Sequence, residues 1–276
     1  MRVPLTVGDF LHRAAAVYPD RTAVIDEPGV AASLGRLSYR QLEARARGMA
    51  RALDDMDVAQ GARVAIVSPN AARFAIAFYG VSGYGRILVP VNFRLNADEV
   101  GYIVEHSGAS VLLVDPDLDQ ALSQVTAKQR ILLDGSQDAA LFAEAPAGAT
   151  PRAWAADEDA TASINYTSGT TARPKGVQLT HRTCWLNAAV FGWHATVSDR
   201  DVYLHTLPMF HCNGWGMPYA VTAMGCTQVV VRKIDGEEIL RRIDEHGVTL
   251  LCAAPAVVAA ILDAAAARAE RGQAPV

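Results

Sequence analysis

Cysteine is scarce in this sequence. Only four are present, Cys184, Cys212, Cys226 and Cys252, and none belongs to a Cys-x-x-Cys pair. That excludes a zinc ribbon and a thioredoxin-type redox motif, and it fits a reducing compartment. Excess positive charge is missing too. The 25 Lys and Arg against 29 Asp and Glu leave a formal net charge of −4, which argues against nucleic acid as a partner. Long apolar runs are absent. The longest, Val248–Leu262, contains Pro255 and falls short of the roughly 20 residues that cross a bilayer. It reads instead as a buried strand followed by a core helix, with no transmembrane segment. Met1–Phe10 lacks the apolar segment of a secretory signal, so the expected setting is the cytoplasm. The spacing of His205, His211 and Cys212 matches no usual ligand pattern, and no metal is assigned to them.

What is present is an ordinary globular composition, 51% hydrophobic and 20% charged over 276 residues, enough to bury a substantial core. Short β-rich runs alternate with helical patterns. Arg63–Ser68, Ile87–Val91, Ser110–Val114 and Ile131–Leu133 read as strands. Between and before them, Ser38 with Gln41 and Asn96 with Glu99 form capping boxes for helices ending near Leu53 and His106. Asn70 is placed to cap a helix toward Tyr84. A second series follows: strands at Thr161–Tyr166, Val177–Leu179, Asp201–His205, Thr227–Val231 and Val248–Cys252. Its helices are Arg182–His194, an Asp235-capped helix ending before Gly247, and Pro255–Ala266. This rhythm predicts an α/β fold, mostly parallel sheets flanked by helices. The expected layout is a first β/α subdomain over 1–138, a surface connection over 139–160, a second β/α subdomain over 161–266 and a frayed tail over 267–276. Trp193 is read as a core aromatic.

The most informative segment is Tyr166-Thr-Ser-Gly-Thr-Thr-Ala-Arg-Pro-Lys-Gly176. Glycine lets backbone N–H groups converge on one point. The hydroxyls of Thr167, Ser168, Thr170 and Thr171 add donors, and Lys175 adds a positive charge on a flexible stem. Together they suit polyphosphate oxygens, at about 1.5–3 kcal/mol for each hydrogen bond to a charged group. A Walker A loop is excluded, because Pro174 precedes Lys175 and Gly176 follows it. The dinucleotide fingerprint does not fit either.

This order of residues resembles the signature of the adenylate-forming (AMP-binding) superfamily, which includes acyl-CoA synthetases. The family usually has glycine where this chain has Ala172. A second stretch, Leu207-Pro-Met-Phe-His-Cys-Asn-Gly-Trp-Gly216, resembles the second signature of acyl-CoA synthetases. Weaker echoes are Ser38-Tyr39-x-x-Leu42, Gly61–Ile66, Pro69-Asn70 and Val89–Leu95. The resemblance implies ATP contacts from Thr167, Ser168, Gly169, Thr170, Thr171, Lys175 and Gly176. It implies an acid pocket near His211, Asn213, Gly214, Trp215 and Gly216, with Lys175 and His211 in catalytic roles. The implied reaction activates a small carboxylic acid, fatty or aryl, as an acyl-adenylate with ATP and Mg²⁺. Coenzyme A then takes the acyl group.

Other parts of the family pattern are not found in these residues. They are a Tyr-Gly-x-Thr-Glu segment, a Thr-Gly-Asp segment and a C-terminal domain with a catalytic lysine. The expectation is therefore the N-terminal part of a fatty-acid–CoA ligase, truncated before the C-terminal domain and with little or no activity alone. The alternative is a non-catalytic nucleotide- or acyl-binding module. An apolar face left exposed would offer a homodimer surface.

Overall fold

A computed structural model describes residues 3–30, 32–167 and 173–276. In chain order the elements are α1 (Gly8–Val17), β1 (Thr22–Ile25), β2 (Arg36–Ser38), α2 (Tyr39–Asp55), β3 (Arg63–Val67), α3 (Ala72–Gly80), β4 (Ile87–Val91), α4 (Ala97–Ser107), β5 (Ala109–Val114) and β6 (Gln129–Leu132). They continue as β7 (Thr161–Thr167), β8 (Lys175–Thr180), α5 (His181–His194), β9 (Val202–His205), α6 (Cys212–Trp215), α7 (Met217–Met224), β10 (Thr227–Val230), α8 (Gly236–His246), β11 (Leu250–Leu251) and α9 (Pro255–Glu270).

Two sheets form, in the orders β6-β5-β3-β4-β7-β8 and β11-β9-β10-β1-β2. Pairing is parallel except at β7/β8 and β1/β2. The parallel strands β3 and β5 are apolar and almost wholly buried, as strands covered on both faces must be. The capping boxes occur as expected: Ser38 and Asn96 each accept from the third helical residue, and Gln41 and Glu99 reach back. Asp235 caps α8, and Gly247 ends it in the left-handed region.

The division of the sheets differs from a split at 139–160. β7 and β8 join the sheet of β3–β6, while β1 and β2 join that of β9–β11. The reason is long-range pairing: Leu88 lies opposite Ser163, and Val24 opposite Gln228. Nor is 139–160 purely surface. Leu141 and Phe142 are buried, and Arg45 Nη1 donates to the Phe142 carbonyl at 2.5 Å. α2 approaches this segment so closely that a Cβ on Gly48 would stand 2.0 Å from the Ala143 carbonyl oxygen.

Four local expectations change. Asn70 does not cap α3. Asp26, at the end of β1, accepts the Ala72 N–H at 2.9 Å instead. Trp193 is no core residue, being 83% exposed. α9 is not a core helix, since none of its residues is buried, and β11 is only half-buried. The tail is not frayed from 267: α9 runs to Glu270, and Arg268 Nε and Arg271 Nη2 both reach Glu237. The sheets are tied by Arg232, just beyond β10, whose two terminal nitrogens meet both oxygens of Asp115, at the end of β5, at 3.0 Å each.

Candidate active site

Strand β7 organises the site. Its side chains alternate: Ser163 and Asn165 are buried on one face, and Ile164 and Tyr166 lie on the other. β7 pairs antiparallel with β8, placing Tyr166 opposite Gly176 and Thr167 opposite Lys175. Thr167 and Lys175 thus stand side by side at the sheet end, both exposed. Gly176 has a packing reason for lacking a side chain. A Cβ there would lie 3.0 Å from Ile164 Cγ2 and 3.1 Å from Tyr166 Cζ, where the tyrosine ring crosses the strand. Ser168, Gly169, Thr170, Thr171 and Ala172 lie outside the described residues.

The second stretch is fastened by side chains distant in sequence. Asn70 Nδ2 donates to the carbonyls of His205 and Leu207, each at 3.0 Å, and its Oδ1 accepts from the Met209 N–H at 2.8 Å. Phe210 meets Phe93 edge-on at 5.5 Å, with the Arg94 guanidinium 6.0 Å from its ring. The chain then makes a left-handed turn: Cys212, Asn213, Gly214, Trp215 and Gly216 all have positive φ, between 48° and 75°. For L-residues this costs about 1–2 kcal/mol each outside glycine, and such strain persists only where neighbours enforce it. Buried Asn213 supplies that enforcement. Its Nδ2 donates to Ser163 Oγ at 2.8 Å, and its Oδ1 accepts from Asn165 Nδ2 at 3.1 Å.

Beside this turn is a cavity of about 380 Å³, whose walls include Leu179, Cys184, Asn187, Phe191, Trp215 and Tyr219. Asn213 and Gly216 also line it, but His211 and Gly214 do not. His211 is exposed at the start of the turn, with Nε2 3.9 Å from Cys212 Sγ. Burial pushes the Cys184 thiol up to about 12 and raises the Tyr219 hydroxyl well above its ordinary value. Both stay neutral, so neither puts a charge into the cavity. Among the described residues no group of three His, Cys, Asp or Glu side chains is placed to hold a metal ion. Burial also lowers His205 to about 4, a neutral imidazole whose Nε2 lies 3.0 Å from Gln228 Oε1.

Sequence reasoning missed Ser163 and Asn165. The available signal was two polar residues at alternate positions of an otherwise apolar strand, which on a buried face require partners. Asn70 was singled out for a role other than the one it has. Neither Tyr102 nor His106, which contact Arg173 and Tyr166 respectively, was singled out, and nothing local marks them.

A family model described as AMP-binding enzyme matches residues 11–275. An acetate/butyrate–CoA ligase of Arabidopsis thaliana is 34% identical, over 92% of this chain and 48% of that protein. A peroxisomal benzoate–CoA ligase of the same plant is 31% identical, over 92% of this chain and 47% of that protein. The structure superposes on o-succinylbenzoate CoA synthetase from Bacillus subtilis with its acyl-adenylate intermediate, with a TM-score of 0.79 and 27% identity over 92% of this chain and 64% of that one. The chain spans about half the length of the curated relatives it matches. No helix among the described residues is long and apolar enough to cross a membrane.

Proposed function

The chain belongs to the AMP-binding enzyme family, and on that premise we propose that it is the N-terminal part of an ATP-dependent carboxylate–CoA ligase. The observation that carries this reading is that one strand serves both halves of the chemistry. β7 holds the pocket-lining turn through Ser163 and Asn165, then ends at Thr167 opposite Lys175. An acid held in the cavity and a triphosphate met by Thr167 and Lys175 are thereby brought to one end of the sheet.

In the proposed first step a carboxylate oxygen attacks the α-phosphorus of ATP, and the bond to the bridging oxygen breaks as pyrophosphate leaves. In the second, the sulfur of coenzyme A bonds to the acyl carbon and AMP departs with the electron pair of the broken C–O bond. Negative charge grows on the departing pyrophosphate, where the Lys175 ammonium and the Thr167 hydroxyl stabilise it. The same role is proposed for Ser168, Gly169, Thr170 and Thr171. Mg²⁺ bound with ATP would share the charge of its phosphates. His211, exposed beside the cavity turn, faces the passage between acid and nucleotide in this reading. A short- or medium-chain fatty acid, or an aryl acid, suits a cavity of about 380 Å³ with apolar walls. The four free cysteines suit a reducing, cytoplasmic setting.

The test is pyrophosphate release across a panel of carboxylic acids in the complete ligase, with Lys175→Ala. We expect the KM for ATP to rise about tenfold or kcat to fall as much, a loss of about 1.4 kcal/mol. Unchanged adenylation kinetics would remove the role given to Lys175. For the 276 residues alone we expect little or no turnover, because the ribose-binding Thr-Gly-Asp segment and the lysine-bearing C-terminal domain of the family pattern are not among them.

A further inference from the structure

One face of α4 grips the chain on both sides of the segment assigned to ATP. Tyr102 and His106 are four residues apart, hence neighbours on one helix face, with ring centroids 5.2 Å apart. On the entry side, His106 Nδ1 lies 2.8 Å from the Tyr166 hydroxyl, and the rings meet edge-on at 5.8 Å. On the exit side, the Arg173 guanidinium stands 5.4 Å from the Tyr102 ring centroid, and the Tyr102 hydroxyl donates to the Pro174 carbonyl at 3.4 Å. Tyr166 immediately precedes Thr167, and Pro174 immediately precedes Lys175.

We propose that Tyr102 and His106 are positioning residues: a two-ring clamp that fixes Thr167 and Lys175 relative to one another and so sets the geometry offered to the ATP phosphates. This rests on the reading of Lys175 and Thr167 given above. α4 makes a firm anchor. A capping box closes its N-terminus, Gly108 ends it in the left-handed region, and Val100, Ile103 and Val104 are buried beneath it. The β7/β8 ladder alone leaves the sheet end free to splay, because β8 is an edge strand and its residues 175–178 are all exposed. Contacts from α4 to both limbs oppose that splaying. Gly176 belongs to the same device, since its missing side chain leaves room for the Tyr166 ring. Burial raises the Tyr166 hydroxyl, which stays protonated and able to donate to an imidazole nitrogen.

Trypsin gives a readout that needs no turnover. Pro174 blocks cleavage after Arg173, so cutting in this stretch falls at Lys175–Gly176. His106→Leu and Tyr102→Leu are expected to accelerate that cut about fivefold or more, as local opening would, with Tm close to the parent. His106→Asn, which keeps a polar atom near the position of Nδ1, is expected to restore much of the protection. In the complete ligase the Leu variants are expected to raise the KM for ATP about tenfold and leave that for the acid unchanged. Parent-like cleavage at Lys175 overturns the clamp, as does an equal loss for both substrates with a lowered Tm. Lys175→Ala, run alongside, separates the two claims. If it leaves both kcat and the KM for ATP unchanged, the ATP reading fails. If it raises that KM while His106→Leu does not, the clamp fails.

Discussion

Asn213 Nδ2 donates to the hydroxyl of Ser163 at 2.8 Å, and both residues are buried. The bond spans 50 residues of sequence and is closed by Asn165, whose Nδ2 donates to Asn213 Oδ1. A turn of five left-handed residues is thereby tied to the strand that leads to Thr167. In a low-dielectric interior each of these groups depends on the others, because none has water to fall back on.

Asn213→Ala takes one partner each from Ser163 Oγ, which still donates to Asn165 Oδ1 at 3.2 Å, and from Asn165 Nδ2, which keeps only the Phe210 carbonyl at 3.5 Å. The expected loss is about 1–3 kcal/mol, read as a fall in the urea midpoint with unchanged m-value. Pocket function should suffer too, because the turn that lines the cavity loses what enforces its strain. Unaltered stability would mean that the amides find other partners at no cost.

Gly216→Ala should be more damaging than a typical glycine change. At φ 75° its Cβ would stand 2.2 Å from Asn187 Oδ1, so left-handed strain and a clash with a cavity-wall side chain add together. A loss of about 2–3 kcal/mol is expected. The double variant Gly216→Ala/Asn187→Ala should recover the clash but not the backbone strain. Thermal unfolding of the three proteins checks this.

Acid should weaken the fold above the range where carboxylates titrate. Burial lowers His181 and His205 from 6.5 to about 4. Asp9 and Asp157 partly oppose the shift at His181, and Gln228 at His205. Both imidazoles are therefore neutral in the folded chain while the unfolded chain takes up protons below 6.5. Between about 6.5 and about 4 the unfolded state binds more protons, so stability falls as pH falls, each histidine adding a slope of up to about 1.4 kcal/mol per pH unit. Above 6.5 neither contributes. Urea titrations across this range should show the slope, and His205→Gln should reduce it. A flat profile from 7 to 4.5 would contradict the buried, neutral assignment.

Trp193→Ser should leave stability within about 0.5 kcal/mol of the parent, as for other substitutions at exposed positions. The side chain is 83% exposed. On the same helix, Leu186 and Val190 are also exposed, at 40% and 51%. If this apolar face mediates self-association, Trp193→Ser should lower the apparent mass at high concentration in sedimentation velocity. A large stability loss would return Trp193 to the core.

Much of the local structure was legible in the sequence because its causes are local. The capping boxes at Ser38 and Asn96, the Asp235 cap and the Gly247 stop depend on residues within four positions of each other, and all are present. The strand pattern from β3 to β5 followed from apolar runs needed on both faces of a parallel sheet. The family was legible from Tyr166 to Gly176 because its signature is written in consecutive residues. The Trp193 and α9 readings went astray because apolar composition says that a face wants covering, not which face is covered.

By itself, the sequence determined the α/β class, the membership in the AMP-binding family and the order of the two signature stretches. Only the tertiary structure decided that β7 and β8 join the sheet of β3–β6, and that Asn70 secures Leu207 and Met209 instead of a helix end. It also decided that Tyr102 and His106 hold the two limbs around Thr167 and Lys175. The physical reason is range. Backbone capping and periodicity are settled within a few residues, whereas a buried polar group takes whichever partner the packed chain brings to it, which for Asn70 lies 139 residues away.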